Sequence, residues 1–463
     1  MLTRLEVDGF KNLLGFSADF GPYACIAGPN AVGKSNVFVV IEFLSLLAHT
    51  PFLDAAATVR ETADKSGDPR TLFWQEGEGY RDMTLGADMI VPRAVEDDFG
   101  RLVSPSVTYL RYELILRYIP AGTQGHARSG GIELISESLT PISRGVARKS
   151  LPWASKPFFD AVVVGTKKSP FISTGFEDEL VAIEIHSDGG SRGRGQKSPA
   201  RNAPRTIVAT TTTIDAPTVL AAKREMQSWR KLALEPSAMR TPDVATDMSS
   251  IEADGRHIPA TLNRLASERS EDVFAMVANQ ASALADVRRV NIDVDPHRDT
   301  LTLEAQVGTG PMLPARALSE GTLRFLALCV IAQDDGLEGL VCMEEPENGI
   351  HPARIGSMVE LLRDMAVDPE EVPSAENPFR QVLVNTHSPY YVALHEDDEL
   401  LVATPAAVKA KGIKARTLRL LPLVGTWRSA SVNFSGSRQS IADYLRFPED
   451  APQTLGANKG AAA

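Results

Sequence analysis

Residues 28–35 read Gly-Pro-Asn-Ala-Val-Gly-Lys-Ser and fit the pattern G-x-x-x-x-G-K-[ST]. That spacing suits one kind of chemistry. Gly28 and Gly33, with Pro29, Asn30, Ala31 and Val32 between them, let backbone N–H groups turn inward around a β-phosphate. A helix starting there adds the positive end of its dipole, and Asn36 lies on its first turn. Lys34 would neutralise the β and γ oxygens, and the Ser35 hydroxyl would ligate Mg²⁺. The pattern therefore calls for ATP and Mg²⁺ as cofactors.

A second set of residues lies some 300 positions later, in Gly339-Leu-Val-Cys-Met-Glu-Glu-Pro-Glu-Asn-Gly-Ile-His-Pro352. Four apolar residues are followed by two carboxylates. Glu344 stands where a magnesium-side carboxylate is expected, and Glu345 where a base would orient an attacking water. The residue before a proline is biased to extended geometry, so Pro346 predicts Glu345 to be extended and aimed from the strand end. Ala317–Gln333 reads as a small polar turn opening a helix that is apolar almost all round, hence buried. Its start, Ser319 and the Gly321 amide, reads either as a plain helix cap or as a second anion contact. In Gln381–Tyr390 another apolar run ends in Thr386-His387-Ser388, and His387 is expected to reach a γ-phosphate.

These groups need elements to position them. Pro22–Ala27 has the form of a buried strand and Asn36–Leu47 that of a helix, the context the phosphate motif requires. Apolar strands ending at Ala27, Met343 and Asn385 would line one site, because ligands in open α/β sheets bind beyond the carboxyl ends of strands. Leu2–Phe20 reads as two short strands. From Leu72 to Leu139 the alternation in MTLGADMIV, VTYLRYELILRYI and GIELISESL predicts a β-rich lobe. Pro217–Ala285 reads as a helical insertion, and Val290–Val307 as a strand pair. Ser187–Arg205 is rich in Gly, Ser and Arg and reads as a flexible basic loop. Gln453–Ala463 reads as a disordered tail.

Composition sets outer limits. The chain has 463 residues, 43% hydrophobic and 23% charged, enough for a sizeable core. A net charge of −11 argues against indiscriminate polyanion binding by the whole surface. The three cysteines sit in apolar runs and read as reduced, and they show no metal-site spacing with the eight histidines. The longest apolar stretch, Val37–Ala48, is interrupted by Glu42 and is too short for a bilayer. The N-terminus lacks an apolar leader. No membrane association and a cytoplasmic location are expected. No heptad run supports coiled-coil arms.

Taken in order, LTRLEVDGFKNL, AGPNAVGKSN, ALSEGTLRFLAL, CMEEPENGIHP and VNTHSP resemble the ATP-binding-cassette ATPases of the SMC and RecF type. Within that group the chain is similar to soluble bacterial AAA-family ATPases related to the OLD proteins. The resemblance covers both ends of the ATPase fold and only loosely the middle, about residues 140–285. It implies an α/β fold: an ABC-type P-loop ATPase head with a β-rich lobe and a helical insertion. The divisions would be 1–186 and 290–452 for the two parts of the head, 187–205 for the loop, 206–289 for the insertion and 453–463 for the tail.

The resemblance further implies a head-to-tail homodimer with ATP between the protomers. Ser319 and Gly321 would act on the partner's nucleotide, Asn348 and Gly349 would form a D-loop across the interface, and Lys11 and Asn12 would lie near the nucleotide. Glu344 replaces the usual Asp, lengthening the reach by one methylene. Glu320 and Thr322 depart from the transporter signature, which argues against a membrane transporter subunit. Gln75, after an apolar triplet, is the candidate metal-side glutamine. Two roles follow. One is a sensing ATPase of a bacterial anti-phage defence system with a separate effector such as a nuclease, since the stretch after His387 is too short for a TOPRIM domain. The other is a RecF-like repair ATPase that binds DNA, with Arg192, Arg194, Lys197, Arg201 and Arg205 as contacts.

Overall fold

The computed structural model describes residues 1–60, 68–122, 130–177, 180–189, 196–200, 202–212, 214–246, 250–410, 413–431 and 436. The tail assigned to 453–463 lies outside these residues, as do Arg192, Arg194 and Arg201 of the basic loop.

The runs YACIA, GLVCME and RQVLVNT form strands Tyr23–Ala27, Gly339–Glu344 and Arg380–Thr386, almost wholly buried. Continuous apolar runs of this kind belong to parallel strands covered on both faces. A six-stranded sheet runs in the order Arg230–Leu232, Gly339–Glu344, Arg380–Thr386, Tyr23–Ala27, Leu400–Ala410, Ile413–Pro422. The first five are parallel to their neighbours and the last is antiparallel. The two faces alternate residue by residue. Ala24, Ile26, Leu340, Cys342 and Leu383 join one apolar core, which includes the helix Lys34–Leu47. Cys25, Ala27, Val341, Met343, Val382 and Val384 join the other, with helices Ile258–Glu268, Asp272–Ala285, Glu320–Gln333 and Ile355–Asp364. All three cysteines are buried and unpaired, as small apolar groups.

An eight-stranded antiparallel sheet covers the first of these cores. Its strand Tyr109–Ile119 shows why the lobe is β-rich: Leu110, Tyr112, Leu114 and Leu116 point inward and are fully buried, while Glu113 and Arg117 point out. On the outer face Arg111 pairs with Glu6, Asp88 and Glu113. A smaller sheet pairs Val287–Asp295 with Thr300–Val307, matching the expected strand pair.

Two segments differ from expectation. Within the stretch read as a flexible loop, Gln196–Pro199 is an edge strand of the large sheet, paired with Leu180–Ile185, and Ala200 is buried. Its polar composition is tolerated because an edge strand buries little and is held by backbone pairing. Within the stretch read as a helical insertion, Arg230–Leu232 is a strand of the central sheet, parallel to Gly339–Glu344. Three residues are too few for a period to show, and only the sheet beside them makes them a strand.

Candidate nucleotide site

The carboxyl ends of Tyr23–Ala27, Gly339–Glu344 and Arg380–Thr386 lie side by side, with Thr386 opposite Ala27 and Glu344 opposite Asn385. Beyond them lies a cavity of about 430 Å³ lined by Asn12, Asn30, Ala31, Gly33, Lys34, Ser35, Asn36, Glu345 and Asn385. That volume suits a small cofactor.

The helix Lys34–Leu47 starts two residues earlier than the sequence suggested and carries no side-chain cap, so its first amides open on the cavity. Its N-cap, Gly33, has φ 102°, where glycine is strongly favoured. A Cβ at Gly33 would also stand 2.3 Å from the Asn12 Nδ2. Asn12 donates to the Val32 carbonyl (3.1 Å) and accepts from Asn36 (2.7 Å), and so closes over the loop. The Lys34 ammonium donates to the Gly28 and Pro29 carbonyls at 2.6 and 2.7 Å. Burial lowers its pKa, opposed by Glu345, Glu344 and Glu347.

Ser35 Oγ donates to Glu344 Oε2 at 2.7 Å, across 309 residues of sequence. A hydroxyl and a carboxylate side by side at the head of a phosphate loop fit Mg²⁺, which takes few protein oxygens and leaves its other positions to phosphate and water. Asn385 lines the same cavity, and its Nδ2, buried and without a hydrogen-bond partner among the described residues, is an unspent donor there. The residues present therefore fit a magnesium nucleotide.

Glu345 is not extended: its φ is 45°, in the left-handed region. The preference imposed by Pro346 is overridden by a tertiary grip. The Glu345 N–H bonds the Asn385 backbone carbonyl at 3.0 Å and Asn385 Oδ1 at 3.3 Å. Its carboxylate is then held from both sides, by His387 Nδ1 at 2.6 Å and by Asn348 Nδ2 at 2.7 Å. A carboxylate only accepts, so Nδ1 of His387 carries the proton. Lys11 and Ala31 are also left-handed, at φ 45° and 63°. Ala31 and Glu345 line the cavity and Lys11 precedes Asn12, which also lines it, so strain gathers as it does at functional sites.

Ser319 is the N-cap of Glu320–Gln333, its hydroxyl accepting from the Thr322 N–H at 3.2 Å. It is exposed and does not line its own chain's cavity. The start of this helix is nevertheless tied to the turn after Glu345: Arg324 donates to the Asn348 carbonyl, and a Cβ at Gly321 would sit 3.3 Å from the Gly349 carbonyl. Gln75 is exposed, on the two-residue strand Gln75–Glu76, and does not line the cavity. It follows closely on Phe73, which bridges to Phe10 beside Lys11, whose N–H bonds the Leu72 carbonyl.

Sequence reasoning passed over two residues here. Asn385 was noted as the end of a strand and nothing more, although a buried amide at the head of an apolar run is itself a signal. Lys231 forms an ion pair with Glu344 at 3.2 Å, and no local pattern announces it.

Residues 213–393 match the family model described as "AAA domain, putative AbiEii toxin, Type IV TA system". That stretch holds the Glu344–Glu345 pair, Ser319 and His387, while the phosphate loop lies outside it and joins it through the sheet. The chain is an ATPase with an AAA-type domain over the matched residues. No curated protein matches this ATPase. Among solved structures it is similar to an Smc head domain with a coiled coil and joint from Pyrococcus yayanosii (10% identity, 96% of this chain and 98% of that one, TM-score 0.44). It is also similar to an SmcHead bound to the C-winged helix domain of ScpA (12%, 90% and 97%, 0.43) and to the SMC head domain from Thermotoga maritima (10%, 90% and 98%, 0.36). Among the described residues of this ATPase, no helix is long and apolar enough to cross a membrane.

Proposed function

We propose that this ATPase hydrolyses ATP in a head-to-tail homodimer and that the cycle of pairing and separation controls a separate effector protein in a bacterial defence system. The observation that carries the reading is the state of Glu345. Its carboxylate borders the phosphate loop and is held by His387 and Asn348, as a base that must face a water in one orientation.

In this mechanism the Gly28–Gly33 loop and the open helix start hold the phosphates, with Lys34 against the β and γ oxygens. Asn12 fixes the loop from outside. Ser35 and Glu344 would hold Mg²⁺, which supplies charge neutralisation on the β and γ oxygens when bound. Glu345 orients the attacking water and takes its proton, and His387 keeps the carboxylate in place. Ser319, exposed, and Gly321, half-buried, both outside their own cavity, are the groups a second copy would receive. Their tie to the turn at Asn348 and Gly349 would let nucleotide contact in one copy report on Glu345 of the other.

The defence role is supported by the description of the matched family, which names a type IV toxin–antitoxin toxin. Light scattering with Mg·ATP tests the dimer: Glu345→Gln should bind ATP and remain a dimer, and a variant that stays monomeric with ATP bound rules the sandwich out. The cellular role is tested by phage challenge of cells carrying the ATPase together with its adjacent gene. Protection should be lost with Lys34→Ala.

A further inference from the structure

The strand Arg230–Leu232 sits at the edge of the central sheet, in parallel register with Val341–Met343, so that Lys231 pairs with Cys342. Residues paired across a sheet share a face, and so do residues two apart along a strand. Lys231, Cys342 and Glu344 therefore lie on the same face, the one covered by the helix that begins at Lys34. The Lys231 ammonium reaches Glu344 Oε1 at 3.2 Å, while Ser35 holds Oε2 of the same carboxylate at 2.7 Å. The Lys231 side chain is 12% exposed and that of Glu344 31%.

A lysine on an edge strand ordinarily points into water to discourage strand pairing. This one points inward, under a helix, at a cost in desolvation that apolar packing would avoid. Its position also matters to charge. Glu344, Glu345 and Glu347 are all close enough to act on Lys34. Carboxylates gathered beside a phosphate loop make its surroundings more favourable to a cation. Lys231 occupies one oxygen of the carboxylate that such a cation needs.

We propose that Lys231 is an internal counter-cation to Glu344 that makes metal binding conditional on nucleotide. A divalent cation approaching Glu344 and Ser35 meets the ammonium on the same carboxylate, and like charges at such range repel. Only the added negative charge of the nucleotide phosphates tips the balance toward the metal. Lys231 also pins the extra methylene that Glu has over Asp, presenting Oε2 to the Ser35 side. It is a positioning residue, acting through Glu344. This inference rests on the assignment of Ser35 and Glu344 as the metal ligands.

The test is Mn²⁺ binding to the full chain, followed by the electron paramagnetic resonance of free Mn²⁺, with and without a non-hydrolysable ATP analogue. Without nucleotide, Lys231→Met should bind Mn²⁺ about tenfold or more tightly than the wild type, the effect of removing one nearby like charge. Lys231→Arg should behave as the wild type. Lys231→Gln, similar in length and neutral, repeats the measurement should the Met variant fold poorly, and thermal unfolding separates a folding defect from a change at the site. Unchanged Mn²⁺ affinity in the neutral variants, with Glu344→Gln impaired when the analogue is present, overturns the role of Lys231 and leaves the ligand assignment standing. Unimpaired Mn²⁺ binding by Glu344→Gln overturns the ligand assignment and the inference with it.

Discussion

Two helix starts in this protein receive opposite treatment. At Lys34–Leu47 no side chain caps the first turn, and the amides face a cavity. At Ile207–Thr210 every early amide is taken: Ile207 and Val208 donate to the Glu137 carboxylate at 2.6 and 2.8 Å, and Ala209 donates to Thr206 Oγ1 at 3.3 Å. Tyr112 adds a third bond to Glu137 at 3.1 Å. The two sites are physically joined, because the Thr206 hydroxyl donates to the Leu47 carbonyl at 2.7 Å, at the far end of the phosphate-loop helix. The donor chemistry is the same at both. In one the chain supplies its own acceptor, a carboxyl group, and the result is structure. In the other no side chain caps the first turn, and the start of the helix is left open, as the proposed phosphate site requires.

Replacing a glutamate by glutamine in each region should break the two in different ways. At Glu345 the change should lower kcat by about a thousandfold, the range of a lost general base, with ATP affinity and thermal stability nearly unchanged. Steady-state phosphate release and nucleotide titration measure both. Gly33→Ala attacks the open helix start directly, forcing a Cβ into the left-handed region and against the Asn12 amide. ATP affinity should fall about 100-fold, in line with strain of 1–3 kcal/mol.

Glu137→Gln is the counterpart in the closed region. Burial raises the Glu137 carboxyl from 4.5 to about 7, opposed by the Ile207 and Val208 amides. Between those values the native chain keeps a proton that the unfolded chain has released. The stability this group contributes is therefore full below pH 4.5 and is lost as pH rises through about 7. Denaturant midpoints of the wild type should fall between pH 5 and pH 8, and Glu137→Gln should flatten that slope without touching kcat. A slope unchanged in the variant would show that other groups set it. The smallest effect is expected for Asn385→Ala. It leaves the backbone carbonyl to hold Glu345 and removes one amide bond, costing about fivefold to tenfold in kcat. Loss of binding instead would place Asn385 on the nucleotide.

How much of this was readable beforehand varies with the distance over which each feature is specified. The phosphate loop, the Glu344–Glu345 pair and the His387 turn are contiguous motifs at the ends of apolar runs, and the six-stranded sheet does bring those ends together. The backbone at Glu345 was misread because the rule for residues before proline is local, whereas Asn385, 40 residues away, decides the conformation. Arg230–Leu232 was hidden among helices because three residues carry no period, and Gln196–Pro199 because its polar composition resembles a loop.

By itself, the sequence determined where the phosphate-loop motif lies and which strands are buried, since loop geometry and apolar run length follow from residues in series. Only the tertiary structure decided that Ser35 meets Glu344, that Asn385 turns Glu345 into the left-handed region, and that Lys231 faces Glu344. These contacts depend on strand order and parallel register, which bring together residues far apart in the chain. Their energies enter only once the sheet has formed.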